Sequence, residues 1–307
     1  MTLQEAIDSF LSDLRRRGYS ARTVEAYAFD LQKLSESLSE FENSTVGSIP
    51  IEKVDVGMLR RWADNCLTKG NSARTLSRKM ATCKSLFKYL EKEEIIEENP
   101  TSRVTLPKIR KKPPSALSQD EIRQLLAAPR SDDPNYLRDR AILMLLYSSG
   151  LRVSELVSLK MENILLDRQM IRVHGKGSKD RLLPMTEASR TLLLDYFLVR
   201  EKESPKTTTP KSPAFITEKG TPMTVRMIQY MVEKYGIEAG ISLHVHPHLI
   251  RHSIATHLIE EGCDVEAVRQ TLGHESLATT SIYIKASSKY LTSEHKKFNP
   301  ADKLSSR

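Results

Sequence analysis

The stretch 248–283, which begins with His248-Leu249-Ile250-Arg251-His252, organises this 307-residue chain. A helix over 247–260 turns about 100° per residue, which predicts a single apolar stripe formed by Ile250, Ile254 and Leu258. His248, Arg251 and His252 then fall on the opposite face, which we expect to be exposed. Such a helix presents a guanidinium beside groups that can transfer protons.

Further reactive residues surround this helix along the chain. Arg152 and Lys176 precede it, whereas Leu272-Gly273-His274 and then Tyr283 follow it. Tyrosine can act as a nucleophile, and planar guanidiniums suit the oxygens of a phosphate. The set therefore favours phosphoryl transfer.

The composition is typical of a globular protein of about two domains, with 39% hydrophobic and 28% charged residues. No apolar run is long enough for a membrane span, and the first residues do not resemble an export signal. The three cysteines, Cys66, Cys83 and Cys263, have neither the spacing of metal ligands nor that of a disulfide framework. These features predict a cytoplasmic protein.

The chain is basic, with 47 lysines and arginines against 39 acidic residues. Positive charge favours polyanions, among which nucleic acid comes first, although a solvated basic surface is the alternative. Five positive charges and no negative ones lie between residues 103 and 112: Arg103, Lys108, Arg110, Lys111, Lys112. Pro107, Pro113 and Pro114 stiffen this segment, so residues 107–115 are read as an interdomain linker that either follows a phosphate backbone or is a solvated hinge.

The first hundred residues predict four helices with short connections, a small bundle. Thr2 to Glu5 is a capping box, and Gly18 ends the helix that follows it. Ser20 caps a second helix to about Leu38. The third helix runs from Asp55 to near Gly70, and the fourth from Ser72 to a point before Asn99.

One face of this bundle has residues suited to DNA phosphates. They lie at the start of the second helix and along the fourth: Ser20, Arg22, Thr23, Arg74, Arg78, Lys79. Together with Arg110, Lys111 and Lys112 of the linker, they are the candidate DNA-binding residues. An ordinary solvated helix surface explains the bundle residues equally well.

The second domain begins with another capping box, Ser118 to Glu121, and a helix over about 119–128. The next helix, near 135–149, is so apolar that it is read as a buried core helix. Arg152 follows directly after Gly150, where it can point into a site. Glu155 is placed to orient its guanidinium, and a surface salt bridge is the alternative.

Residues 170–184 predict a β-hairpin whose glycine-rich turn lets Lys176 project. A flexible basic hairpin without a role is the alternative. Further helices are expected near 186–202 and 223–237. A surface loop over 203–213 and a short strand near 214–216 lie between them.

The histidines allow another interpretation, because His244, His246 and His248 alternate and histidine is a common ligand of zinc. The pair His248 and His252 lacks the glutamate of a zinc-protease helix, and Pro247 interrupts the strand pattern. No metal or other cofactor is therefore predicted. His257 falls within the apolar stripe and is read as a core histidine.

The ordered set of motifs resembles the tyrosine recombinases, most closely those of the Xer type. The resemblance rests on Gly150-Leu151-Arg152-Val153-Ser154-Glu155-Leu156, Gly175-Lys176-Gly177, Pro247-His248-Leu249-Ile250-Arg251-His252, Leu272-Gly273-His274 and Tyr283. It implies a mainly α fold, with a four-helix SAM-like core-binding domain (1–106), the linker (107–115) and a mixed α/β catalytic domain with a small sheet (116–307).

The resemblance also implies roles for the matching residues. Tyr283 would attack a DNA phosphodiester, and Arg152 and Arg251 would bind its non-bridging oxygens. Lys176 would protonate the leaving oxygen, His248 would exchange a proton with the tyrosine, and His274 would hydrogen-bond the phosphate. Glu155 would orient the guanidinium of Arg152 without contacting the phosphate. A helix expected over 276–285 would carry the nucleophile.

The implied partners are double-stranded recombination sites and further copies of the chain, in a tetramer assembled through the C-terminal helix (288–307). An accessory protein fits the same scheme, and a membrane does not. Chromosome or plasmid dimer resolution is the expected role, and movement of a mobile element is the alternative. A monomeric type IB topoisomerase and a non-catalytic DNA-binding regulator are the other classes considered.

Overall fold

The computed structural model describes residues 1–107, 116–174, 180–203, 208–272 and 297–300. The chain forms two compact units, Met1–Pro113 and Pro114–Arg307. Most of the predicted linker lies outside the described residues, so the three-part division with its assigned roles stays a prediction.

The first unit has four α-helices in its described part, as the sequence predicts. They are α1 (Leu3–Arg16), α2 (Ala21–Phe41), α3 (Val56–Thr68) and α4 (Ala73–Lys92). Short 3-10 turns lie at Ile51–Lys53 and Pro100–Arg103. Trp62, Phe87 and Met80 are fully buried between the helices.

The predicted helix starts of this unit are confirmed. The Thr2 hydroxyl accepts the backbone N–H of Glu5 at 3.2 Å, and the Glu5 carboxylate accepts that of Thr2 at 2.8 Å. Ser20, Asp55 and Ser72 each cap the following helix with a side-chain oxygen. The end of α2 was predicted three residues too early, because Leu38 is followed by residues that continue to pack.

The second unit contains seven described helices and one small sheet. The helices are α5 (Gln119–Ala127), α6 (Tyr136–Ser149), α7 (Val153–Ser158), α8 (Glu187–Glu203), α9 (Val225–Glu238), α10 (Pro247–Glu260) and α11 (Val265–Leu272). The strands are β1 (Ile164–Leu165), β2 (Met170–His174) and β3 (Asp180–Pro184), paired antiparallel in that order. The predicted hairpin is thus present, with a short additional strand beside it.

The centre of the second unit is α6. Every residue from Ala141 to Ser149 is buried, as predicted for a core helix. It packs against α8 and α10. Because α6 is enclosed, its C-terminal end is a fixed point from which the chain enters α7.

The predicted strand near 214–216 is wrong. Only isolated bridges occur there, between Lys160 and Pro213 and between Ile216 and Pro222. Proline has no backbone N–H to continue a ladder, which explains why no strand forms. The short helices α7 and α11 were not predicted, since each has too few turns for a clear periodicity.

Two predicted elements fall on residues of which little or nothing is described. The helix over 276–285 lies outside the described residues, as does most of the C-terminal helix. Within the described part of the chain, no helix combines the length and apolarity needed to cross a membrane.

Candidate active site

The turn between α6 and α7 places Arg152. Gly150 follows the last residue of α6 with φ of +58°, a left-handed conformation that glycine adopts readily. A Cβ at this position would lie 2.3 Å from Cδ2 of Leu272 in α11. The backbone of the turn therefore favours glycine, and an added Cβ would require the Leu272 side chain to shift. The turn places Arg152 at the N-cap of α7.

Glu155 holds Arg152 by two hydrogen bonds. The Arg152 guanidinium donates from Nη1 to Oε1 at 2.8 Å, and its backbone N–H donates to Oε2 at 2.9 Å. The predicted contact is thus present, and it is not a surface salt bridge, because the Glu155 side chain is only 8% exposed. Arg152 itself is 34% exposed and can still meet a ligand.

The environment of Glu155 favours its charged form. Burial raises the pKa of this carboxyl, but hydrogen bonds from Arg152 and Arg181 and the charge of Arg181 outweigh that effect. The net pKa lies below its ordinary value. Glu155 is therefore an anion at neutral pH, as two guanidinium partners require.

Arg251 is buried, so the expectation of an exposed face on α10 is wrong for this residue. Its Nη1 donates to the carbonyl of Gly150, and its Nη2 to the carbonyl of Leu272. Burial lowers its pKa to about 10, and the charges of Arg152 and Arg181 add to the effect. The guanidinium stays protonated at neutral pH. Periodicity did not reveal its burial, because it cannot show that α11 and the α6–α7 turn cover this side of α10.

The histidines of α10 have different environments. His248 is exposed in the first turn, and His252 is half-buried. His257 is buried, and its Nδ1 lies 2.9 Å from the Tyr147 hydroxyl, as expected for a core histidine. His246 caps the helix, since its Nδ1 accepts the backbone N–H of Leu249 at 3.1 Å.

Histidine is an unusual helix cap, and the pKa of His246 is shifted. Burial, followed by the neighbouring His244 and His248, lowers the pKa of His246. In the described part of the chain, no group of three or more histidine, cysteine or acidic side chains is arranged to hold a metal ion. Of the alternating histidines, His246 is the N-cap of α10 and His248 lies in its first turn.

Arg181 on β3 belongs to this cluster and was not predicted. Its Nη2 donates to Oε2 of Glu155 at 2.9 Å. The signal was present in the strand alternation, because Arg181 and Leu183 share the inward face while Leu182 is 45% exposed. An arginine on the buried face of a short strand is a candidate site residue.

Three of the predicted catalytic residues cannot be placed. Lys176, His274 and Tyr283 lie outside the described residues, as do Arg110, Lys111 and Lys112 of the linker. The structure brings Arg152, Glu155 and Arg251 together, with His248 at the start of the same helix as Arg251.

The predicted DNA-binding residues of the first unit fall into two groups. Arg22 and Arg74 are exposed and make no ion pair with any described residue. Arg78 instead binds the buried carboxylate of Asp30 through both nitrogens of its fork, with Nη2 to Oδ1 at 2.9 Å. Lys79 donates to Asn71 at 3.1 Å.

The two exposed arginines occupy equivalent helix starts. Ser20-Ala21-Arg22-Thr23 begins α2, and Ser72-Ala73-Arg74-Thr75 begins α4. In each, the threonine N–H donates to the serine hydroxyl at 3.1 Å. Ser20 and Thr23 are thus engaged in a cap, while Arg22 is left facing solvent.

Comparisons with known proteins cover nearly the whole chain. Residues 115–289 match the phage integrase family, and residues 7–94 match the phage integrase N-terminal SAM-like domain. Tyrosine recombinase XerC of Thermodesulfovibrio yellowstonii is 35% identical over 300 residues, 97% of each chain. Tyrosine recombinase XerD of Staphylococcus aureus is 33% identical over 97% of this chain and 99% of the relative.

Solved structures show the same fold. The Tn1549 transposon integrase in complex with circular intermediate DNA superposes with a TM-score of 0.71 at 20% identity, over 92% of this chain and 97% of that one. A lambda integrase dimer bound to a core site has a TM-score of 0.68 at 18% identity, over 92% of this chain and all of that one. The chain therefore belongs to the phage integrase family of tyrosine recombinases and is an Xer-like site-specific DNA recombinase.

Proposed function

We propose that this recombinase cleaves DNA with Tyr283 as the nucleophile. The observation that supports the proposal is the convergence of Arg152 and Arg251, with Glu155 holding the first of them and the carbonyl of Gly150 the second. A phosphodiester under attack gathers negative charge on its non-bridging oxygens. Two guanidiniums neutralise that charge with forked donors.

The remaining roles follow the family pattern. The Tyr283 oxygen bonds to phosphorus and passes its proton to His248, while the 5′-oxygen leaves with a proton from Lys176. His274 hydrogen-bonds the phosphate, and Glu155 orients Arg152. The 3′-phosphotyrosyl bond conserves the energy of the broken phosphodiester, so rejoining to a new 5′-hydroxyl needs no ATP.

The DNA-bound form is also part of the proposal. The Tn1549 integrase was solved in complex with circular intermediate DNA, and the lambda integrase as a dimer bound to a core site. We infer that this chain binds duplex recombination sites with residues 1–106, the basic linker and the catalytic unit. Strand exchange would take place in a tetramer joined through the C-terminal helix, with an accessory protein as an activator.

Resolution of chromosome or plasmid dimers is the biological role that we propose, in the cytoplasm. The relatives that match end to end carry the names XerC and XerD, which supports this role. Movement of a mobile element is the second candidate, favoured by the fold shared with the Tn1549 integrase.

A nicked duplex that traps the cleaved state tests the nucleophile. Wild type and Tyr283→Phe are mixed with candidate sites in EDTA and separated on a denaturing gel. We expect a covalent protein–DNA band with wild type alone. A band of equal intensity with Tyr283→Phe would show that another residue attacks the phosphate.

A further inference from the structure

Arg181 shares one carboxylate with Arg152. Glu155 accepts Arg152 Nη1 on Oε1 at 2.8 Å, and it accepts Arg181 Nη2 on Oε2 at 2.9 Å. The backbone N–H of Arg152 donates to Oε2 as well, at 2.9 Å. Both oxygens of Glu155 are therefore engaged, and its orientation depends on both arginines.

The shared carboxylate offsets the repulsion between like charges in this cluster. Arg152 and Arg181 both lower the pKa of Arg251, so the three guanidiniums lie within electrostatic reach of one another. Like charges in a partly desolvated site repel and spread apart unless a counter-charge holds them. Glu155, only 8% exposed, is the carboxylate that binds two of the three.

The burial of Arg181 lowers the stability of the fold. Its side chain is 20% exposed, and its Nε is buried without a hydrogen-bond partner among the described residues. An unpaired buried donor destabilises a fold, and a leucine like the adjacent Leu182 and Leu183 would avoid that cost. Packing alone does not account for an arginine here, whereas the contact with Glu155 does.

The position of Arg181 also links two parts of the site. It lies opposite the buried Val173 in the β2–β3 pair and follows Asp180, the first residue of β3. Residues 175–179, which include Lys176, connect these two strands. The ion pair of Arg181 with Glu155 thus joins the base of this hairpin to the turn that carries Arg152.

We propose that Arg181 is a positioning residue for strand cleavage: through Glu155 it holds the Arg152 guanidinium towards the scissile phosphate and ties β3 to α7. This inference rests on the proposed function, in which Arg152 binds that phosphate. Arg181 itself does not touch the reacting atoms.

The first test replaces Arg181 and measures cleavage separately from binding. Arg181→Gln removes the charge, Arg181→Lys keeps it without the fork, and Arg172→Gln is the matched control on the exposed face of the same sheet. We expect Arg181→Gln to lower the single-turnover rate of adduct formation on the nicked duplex by about 10²-fold, since small misplacements have such effects. The DNA concentration at half-saturation should change by less than about threefold, Arg181→Lys should recover part of the rate, and the control should keep it.

The second test asks whether Arg181 acts through Glu155. If it does, the double variant Glu155→Gln/Arg181→Gln cleaves no more slowly than Glu155→Gln alone. Rate losses that multiply in the double variant would overturn the proposal, and so would a normal rate in folded Arg181→Gln. If Arg181→Gln does not fold, Arg181→Lys decides by the same comparison, made in the Glu155→Gln background.

The proposed function is tested separately by Arg152→Ala. If Arg152→Ala forms no adduct while the Arg181 variants cleave normally, only the inference about Arg181 is contradicted. Normal cleavage by Arg152→Ala would contradict the proposed phosphate site itself.

Discussion

At the scale of a single residue, Glu155 holds the guanidiniums of Arg152 and Arg181 in place. It is nearly enclosed, and each of its oxygens accepts from a guanidinium. Breaking a buried ion pair by removing one partner is costly because the other charge stays desolvated. The carboxylate therefore contributes to stability and orients Arg152 at the same time.

Glu155→Gln should lower the free energy of unfolding by about 3–5 kcal/mol at pH 7. The matched control is Glu187→Gln, because Glu187 and Arg190 form the same i, i+3 pair at 2.9 Å on the surface, where Glu187 is 56% exposed. An exposed pair contributes under about 1 kcal/mol. Urea denaturation of the three proteins measures both differences, and equal losses would show that Glu155 has no special environment.

The same comparison has a pH dependence with a defined sign. The pKa of Glu155 is lower in the folded state than its ordinary value of 4.5, so its contribution is complete above that pH. The contribution is lost as the pH falls through the lowered folded value. The gap between wild type and Glu155→Gln should therefore narrow in acid below about pH 4.5. A gap that is constant from pH 7 to pH 3 would contradict this assignment.

At the scale of elements, the α6–α7 turn is the most constrained connection near the site. In Gly150→Ala, the alanine would have to adopt a left-handed backbone conformation, and its Cβ would overlap with Cδ2 of Leu272. Gly240→Ala is the matched control, because Gly240 has φ of +70° and nothing within 4 Å of the added Cβ. The control isolates the backbone cost, about 1 kcal/mol.

We expect Gly150→Ala to lose a further 1–3 kcal/mol, roughly, beyond the control, which is the usual cost of overpacking. It should also slow adduct formation, since the Gly150 carbonyl accepts from Arg251. Guanidinium denaturation and the nicked-duplex assay measure the two effects. Equal stability of both variants would mean that Leu272 moves aside at no cost.

The start of α10 is a second element whose stability depends on one side chain. His246 caps the helix with an unprotonated Nδ1, and protonation would replace that acceptor by a positive charge at a helix N-terminus. Its pKa is lowered in the folded state, so its contribution is lost as the pH falls below the ordinary value of 6.5.

His246→Asn should match wild type at pH 8, since asparagine is a good cap, and should become the more stable protein as the pH falls towards 5.5 or so. His246→Ala should lose about 1 kcal/mol at pH 8. The buried His257 titrates in both proteins, so its effect cancels in the difference between their free energies of unfolding. Stability curves of wild type and His246→Asn that stay parallel across this range would show that the cap does not titrate.

At the scale of the whole molecule, similar arginines of the first unit have different environments. Arg74 is exposed at the start of α4, whereas Arg78, one turn later, binds the buried Asp30. Arg74→Ala should weaken DNA binding by the intact chain, lower the salt dependence by about one counterion, and leave the unfolding free energy unchanged.

Arg78→Ala should instead destabilise the first unit by on the order of 3 kcal/mol, because Asp30 would stay buried with Thr82 as its remaining partner. Fluorescence anisotropy on a labelled duplex at several salt concentrations, together with denaturation, separates the two effects. A stable Arg78→Ala protein with a reduced salt slope would reverse these assignments.

The sequence by itself determined what depends on neighbours along the chain. The serine and threonine caps, the ends of α10 and the pairing of Arg152 with Glu155 were predicted, because a helix start or an i, i+3 contact lies within one turn. The order of motifs likewise identified the family, since it needs no coordinates.

Only the tertiary structure decided what depends on contacts between distant segments. Burial of Arg251 needs α11 and the α6–α7 turn beside α10, and the binding of Arg181 to Glu155 brings β3 to α7. The different environments of Arg74 and Arg78 likewise depend on Asp30 in α2. Periodicity describes one element at a time, whereas these charges are placed by partners that only the packed chain brings within hydrogen-bonding distance.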